Sequence, residues 1–184
     1  MDVVSALERS YEQTAKLVTN LDTTHLDAPS PCAGWDVRAT LNHLLGATWM
    51  FTLVNQGRPA GEDAGDILGD DPSLAVAAAA KENMASWRQP EAFEGDRAYP
   101  FGTVPAAFAA MLNLEEVVVH SWDVAKATDT DLTVDDDIAQ LVYRWATSIP
   151  LDEFRAHGAF GPEVAVPASA PTISRLVGLF GRQP

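Results

Sequence analysis

The sequence predicts an all-α protein, an antiparallel four-helix bundle with short accessory elements, and three observations lead there. Apolar residues recur at three- and four-residue steps through several long segments. Helix-starting residues stand before those segments, and the stretches between them are rich in Gly, Pro and acidic residues. Strand-like content is slight, so helical stripes have only one another to bury against.

The first helix runs from Asp2 with Val4, Leu7, Tyr11, Val18 and Leu21 on its apolar face. Residues 27–35, DAPSPCAGW, read as a loop ending in an exposed turn. Asp36 is the expected N-cap of a second helix, whose stripe is Val37, Leu41, Leu44, Leu45 and Thr48 and which ends near Asn55. Residues 56–71 carry Gly and acidic residues without periodicity, which predicts a mobile connection and does not match a calcium-binding EF-hand loop. Asp71 with Pro72 opens a third helix through Val76, Ala80, Met84 and Trp87. Residues 91–102 are irregular, with an extended piece at Ala98 to Phe101. The fourth and longest helix is expected from Thr103, with Pro105 in its first turn, to about Thr128. Thr133 and Asp136 have capping-box spacing before a fifth helix marked by Val134, Ile138, Leu141, Val142, Trp145 and Ile149. The tail holds a short apolar piece, EVAVP, and a last small helix with Ile173, Leu176, Val177 and Phe180.

At 184 residues, 47% hydrophobic and 21% charged, the chain is expected to form one compact domain over 1–184 with a substantial core. One cysteine, Cys32, allows no internal disulfide, and a reducing cytoplasm fits best. No signal peptide is expected at the N-terminus, and no stretch reaches the roughly 20 apolar residues of a membrane span. A formal net charge of -14, with 12 Lys plus Arg in all, would repel a phosphate backbone, so nucleic acid is not an expected partner.

The chemistry gathers on the second and fourth helices. Glu116 and His120 are four apart and share a helix face. Leu112, Leu114 and Val117 to Val119 surround them, and a carboxylate in such apolar company needs a partner or a cation. His43 shares its face with Thr40, Gly46, Ala47 and Met50, small or flexible residues that let another helix and an ion approach. Two imidazoles and one carboxylate would give a divalent ion three protein ligands and leave a position open for water or substrate, as catalytic sites do. By spacing alone, a hydrogen-bonded Glu–His pair beside a satisfied core histidine is the commoner arrangement, since such pairs arise by chance in helices.

The stretch PSPCAGWDVRATLNHLLGAT, with Trp35 eight residues before His43, and the later EVVVHSWDVAKAT resemble the DinB-like metalloprotein superfamily. Within it they are similar to the mycothiol-dependent maleylpyruvate isomerase N-terminal-domain branch. The tail FGPEVAVPASAPTISRLVGLFGRQP is similar to the ends of a group of actinobacterial proteins of that branch, so the resemblance spans nearly the whole chain. It implies a four-helix bundle with a divalent metal on His43, Glu116 and His120, and two imidazoles with a carboxylate favour zinc, nickel or iron there. It also implies mycothiol as a cosubstrate and a small electrophile as partner, and it leaves a homodimer open. The resembled isomerase has an additional C-terminal domain carrying a substrate-binding arginine, whereas this sequence ends soon after its bundle. Maleylpyruvate isomerisation itself is therefore not the expected activity.

Asp123, three residues beyond His120, is within angular reach to accept a hydrogen bond from a ligand histidine, although an aspartate on an exposed flank is the commoner case. Trp35 and Trp122 flank the motifs as pocket-lining or core aromatics. Cys32 has no neighbouring base to activate it and is expected to be inert. His25 and His157 are read as solvated loop residues outside the site, and Arg38 and Arg144 receive no role. No phosphate loop, G-x-S-x-G elbow or C-x-x-C occurs. Three functions remain: a metal-dependent thiol S-transferase, a metal-dependent hydrolase using bound water, and a non-catalytic metal- or partner-binding protein.

Overall fold

The computed structural model describes residues 1–61, 65–156 and 158–184. Residues 2–132 form one compact unit and residues 133–184 a second. The first holds α1 (Val3–Thr19), α2 (Val37–Asn55), α3 (Pro72–Trp87), the strands β1 (Asp96–Tyr99) and β2 (Gly102–Pro105), and α4 (Ala106–Thr128). Each of α1 and α2 packs on both α3 and α4, which makes the all-α four-helix bundle the sequence predicts.

The caps act as their chemistry requires. The carboxylates of Asp2, Asp36 and Asp71 accept from the N–H groups of Ser5, Ala39 and Leu74, satisfying donors that the first helical turn leaves free. Leu7, Leu17, Leu41, Leu44, Phe51, Trp87 and Leu114 fill the core. Among them runs a polar layer with a member from every helix. Tyr11 donates to Thr48 Oγ1 (3.2 Å), Asn113 Nδ2 donates to Tyr11 Oη (3.3 Å), and Trp87 Nε1 donates to Asn113 Oδ1 (2.8 Å). Burial pushes the Tyr11 hydroxyl up to about 12, against its bonds to Thr48 and Asn113, so it stays a neutral donor.

Several expectations are corrected. The fourth helix begins at Ala106, not Thr103, because residues 103–105 pair with β1 in an antiparallel hairpin whose register sets Ala98 opposite Thr103 and Tyr99 opposite Gly102. The hairpin is held down by Tyr99, buried and 5.2 Å from the Phe51 ring. The connection after α2 is anchored where it is described: Asn42 Oδ1 accepts the N–H groups of Ile67 (2.8 Å) and Leu68 (2.9 Å), and Leu68 is buried. Arg38 meets Asp66 at 2.9 Å, which gives that arginine a structural partner. The rest of the mobile connection expected there, residues 62–64, lies outside the described residues, as does His157. His25 is also not a free loop residue: it sits in a short 3-10 turn, Thr23–Asp27, where its Nδ1 accepts the N–H of Asp22.

The second unit comprises α5 (Asp136–Ala146), α6 (Leu151–Ala156) and α7 (Thr172–Leu179), with α5 packed on α7. Thr133 does not cap α5. Asp135 is the N-cap, without a side-chain cap bond, and Asp137 Oδ1 accepts the N–H of Ile138. The EVAVP piece crosses α7 at Gly178, where a Cβ would fall 2.6 Å from Val166 Cγ2 and 2.9 Å from Val164 O. Glycine is required there by close approach.

Candidate metal centre

α2 and α4 are neighbours in the bundle, and the site lies where they face each other. His43 comes from the middle of α2, and Glu116 and His120 from successive turns of α4. The packing of α2 on α4 brings the three residues together: one candidate ligand atom from each lies within 4.8 Å of the others. Glu116 Oε2 stands 3.2 Å from His43 Nε2 and 3.3 Å from His120 Nε2.

Behind this trio sits Asp123. Its carboxylate is fully buried, and Oδ2 lies 3.0 Å from His120 Nδ1. The expectation of an exposed flank fails because α4 is buried on most sides: Asn113, Glu115, Ser121 and Asp123 are all buried beside the valines. His120 is thus set between two carboxylates, one at each ring nitrogen. Burial works to lower its pKa, but the bonds to Asp123 and Glu116 and their charges carry it up to about 9. Burial works to raise the Glu116 carboxyl, and the bonds from His120 and His43 with their charges overcome it and hold the group well below the usual carboxylate range.

This geometry has a chemical meaning. With Nδ1–H donated to Asp123, a neutral His120 turns its Nε2 lone pair toward Glu116 Oε2. Two acceptors at that distance require a positive charge between them, either a proton on the ring or a metal ion. The donor set, two imidazole nitrogens and one carboxylate oxygen, fits a divalent transition ion with positions left open, and the bond at Nδ1 is the usual way to orient a ligand histidine.

Trp35 covers the imidazoles. Its ring centroid is 4.7 Å from His43 and 5.9 Å from His120, stacked on the latter at 26°. Trp122 is half-buried on α4, and Cys32 is half-buried in the loop three residues before Trp35. His25 is not among the candidate ligands.

The model of the mycothiol maleylpyruvate isomerase N-terminal domain family matches residues 7–125. The chain belongs to this family. The match runs from within α1 to two residues past Asp123 in α4, and so includes every residue of the candidate site. Two uncharacterised proteins, from two strains of Mycobacterium tuberculosis, are each 27% identical over 189 residues, covering 99% of this chain and 98% of theirs. Crystal structures of the mycothiol-dependent maleylpyruvate isomerase and of a histidine-to-alanine mutant of it match with a TM-score of 0.57 at 14% identity. They cover 78% of this chain, and this chain covers 66% of theirs, just under two thirds. At that identity the likeness is one of fold. No helix among the described residues is long and apolar enough to cross a membrane.

Proposed function

We propose that this protein is a metal-dependent enzyme of thiol chemistry. In this reading it holds one divalent ion (zinc, nickel or iron) on His43, Glu116 and His120, and delivers a low-molecular-weight thiol such as mycothiol to a small electrophile. The observation that carries the metal is the meeting of His43 Nε2, His120 Nε2 and Glu116 Oε2, with the far nitrogen of His120 already engaged by a buried carboxylate. The thiol is supported by membership in a family named for a mycothiol enzyme.

A bound ion would supply positive charge that lowers the pKa of a thiol so that a nucleophile exists at neutral pH. The chain's own residues do the rest. Glu116 and the fully buried Asp123 bring two negative charges to the site, and burial of Asp123 limits the screening of its charge. Asp123 holds the Nδ1 proton of His120 and leaves Nε2 free to bind. His43, with its side chain 42% exposed, stands on the side from which a substrate arrives. We read residues 1–184 as one working domain in a reducing cytoplasm, acting on small molecules and not on nucleic acid.

Purified protein reconstituted with zinc is expected to hold about one ion per chain by elemental analysis, since a preorganised three-ligand pocket binds such ions firmly. Less than about a tenth of an equivalent contradicts the site. His120→Ala should abolish uptake while far-ultraviolet dichroism keeps the helices. In the cobalt-loaded protein an added thiol should produce a sulfur-to-metal charge-transfer band, weakened in Glu116→Gln, and an electrophile should be consumed only when thiol is present. Ester or amide cleavage that proceeds without thiol and is inhibited by it would replace this reading with a hydrolase. A loaded protein that turns over nothing would be a binding protein.

A further inference from the structure

The two ligand histidines are held by different physics. His120 is almost fully buried and fastened through Nδ1 to the buried Asp123. His43 is far more exposed, and beyond its meeting with Glu116 its ring has aromatic neighbours: Trp35 at 4.7 Å, tilted by 52°, and His120 at 4.8 Å in an edge arrangement. Trp35 in turn arrives on a loop built to hold still. Ser30 N–H donates to Trp35 O (2.9 Å), Trp35 N–H to Cys32 O (3.1 Å) and Val37 N–H to Ala28 O (3.0 Å), while Pro29 and Asp36 form an isolated bridge. Thr40, from the first turn of α2, donates to Ser30 Oγ (2.9 Å) and ties the loop to the helix that carries His43. Gly34, immediately before Trp35, has φ +83°, a left-handed conformation that only glycine adopts without strain.

We infer that the loop of residues 28–36 is a delivery arm for Trp35, and that Trp35 is a positioning residue that orders the exposed His43 as a metal ligand. The inference rests on the metal reading above. A bulky aromatic ring 4.7 Å from the imidazole removes rotamers that the exposed ring would otherwise sample, so less freedom is lost when the ion binds. His120 needs no such help, because Asp123 already holds it.

The test combines zinc affinity, by chelator competition, with side-chain NMR of both histidines in the metal-free protein. Trp35→Ala should weaken zinc binding by about three- to tenfold, the size of an aromatic pair, and Trp35→Phe should recover most of it. Gly34→Ala, which meets nothing within 4 Å and acts only through backbone strain, should mimic Trp35→Ala in part. In metal-free Trp35→Ala the His43 ring signals should lose their ring-current shift and average, while those of His120 stay in place. Wild-type affinity in Trp35→Ala overturns the inference. So does equal disturbance of both histidines, which would mark Trp35 as general packing. A wild-type protein that takes up no zinc defeats the metal reading instead, and the metal-free NMR then decides separately whether Trp35 orders His43.

Discussion

Replacing Asp123 by Asn removes one negative charge from a fully buried position while keeping the shape of the side chain. The fold favours the protonated ring, carrying the His120 pKa from 6.5 up to about 9. At about 1.4 kcal/mol per pH unit this is roughly 3 kcal/mol, shared between Asp123 and Glu116 after burial has worked against both. The sign follows from linkage. A folded-state pKa above the unfolded one contributes stability that is fully present below pH 6.5 and is lost as pH rises through about 9. Glu116, lowered in the fold, contributes stability present above its ordinary 4.5 and lost only as pH falls toward its folded value. Urea denaturation of the metal-free wild type should therefore show a decline from pH 6.5 to above 9. Asp123→Asn should be less stable by about 1–3 kcal/mol at pH 6, the worth of a charged hydrogen bond, and the gap should narrow toward pH 10 as the wild-type ring loses its proton. Zinc affinity should fall about 10- to 100-fold, as it does when the partner of a ligand histidine is removed. A stability gap of constant size from pH 6 to pH 10, together with unchanged zinc affinity, would refute the argument.

Tyr11→Phe should cost about 1–3 kcal/mol in the same denaturation measurement, because Asn113 Nδ2 loses its acceptor inside the bundle and Thr48 loses a donor; an unchanged midpoint would show that the polar layer is not a stabilising feature. Gly178→Ala should destabilise residues 133–184 by about 1–3 kcal/mol through overpacking on Val166. Adding Val166→Ala should return only part of this, since Val164 O remains 2.9 Å from the new methyl group. Full recovery would place the clash in the side chain alone.

The helices were legible in the sequence because their signals are local. A carboxylate can reach the free N–H groups of the next turn wherever the chain leads, so Asp36 and Asp71 announced α2 and α3. The pairing of Glu116 with His120 was equally local, being set by helix period. That His43 joins them depends on how α2 packs against α4, and residue spacing left it as one choice among several. Residues 103–105 read as the start of α4 because Pro105 suits a first helical turn as well as a strand end, and only pairing with residues 96–99 distinguishes the two. Asp123 was the sharpest case. By the helical pattern alone it could face solvent or the imidazole, and burial of α4 on nearly every side turned it inward to hold His120. Trp35 likewise sits beside His43 only because the hydrogen-bonded loop folds back over α2. The sequence by itself determined the helices, most of their caps and the residue types that could serve as ligands. The packing of helix on helix and loop on helix decided which of those side chains meet, because contacts between residues far apart in the chain carry no periodic signature.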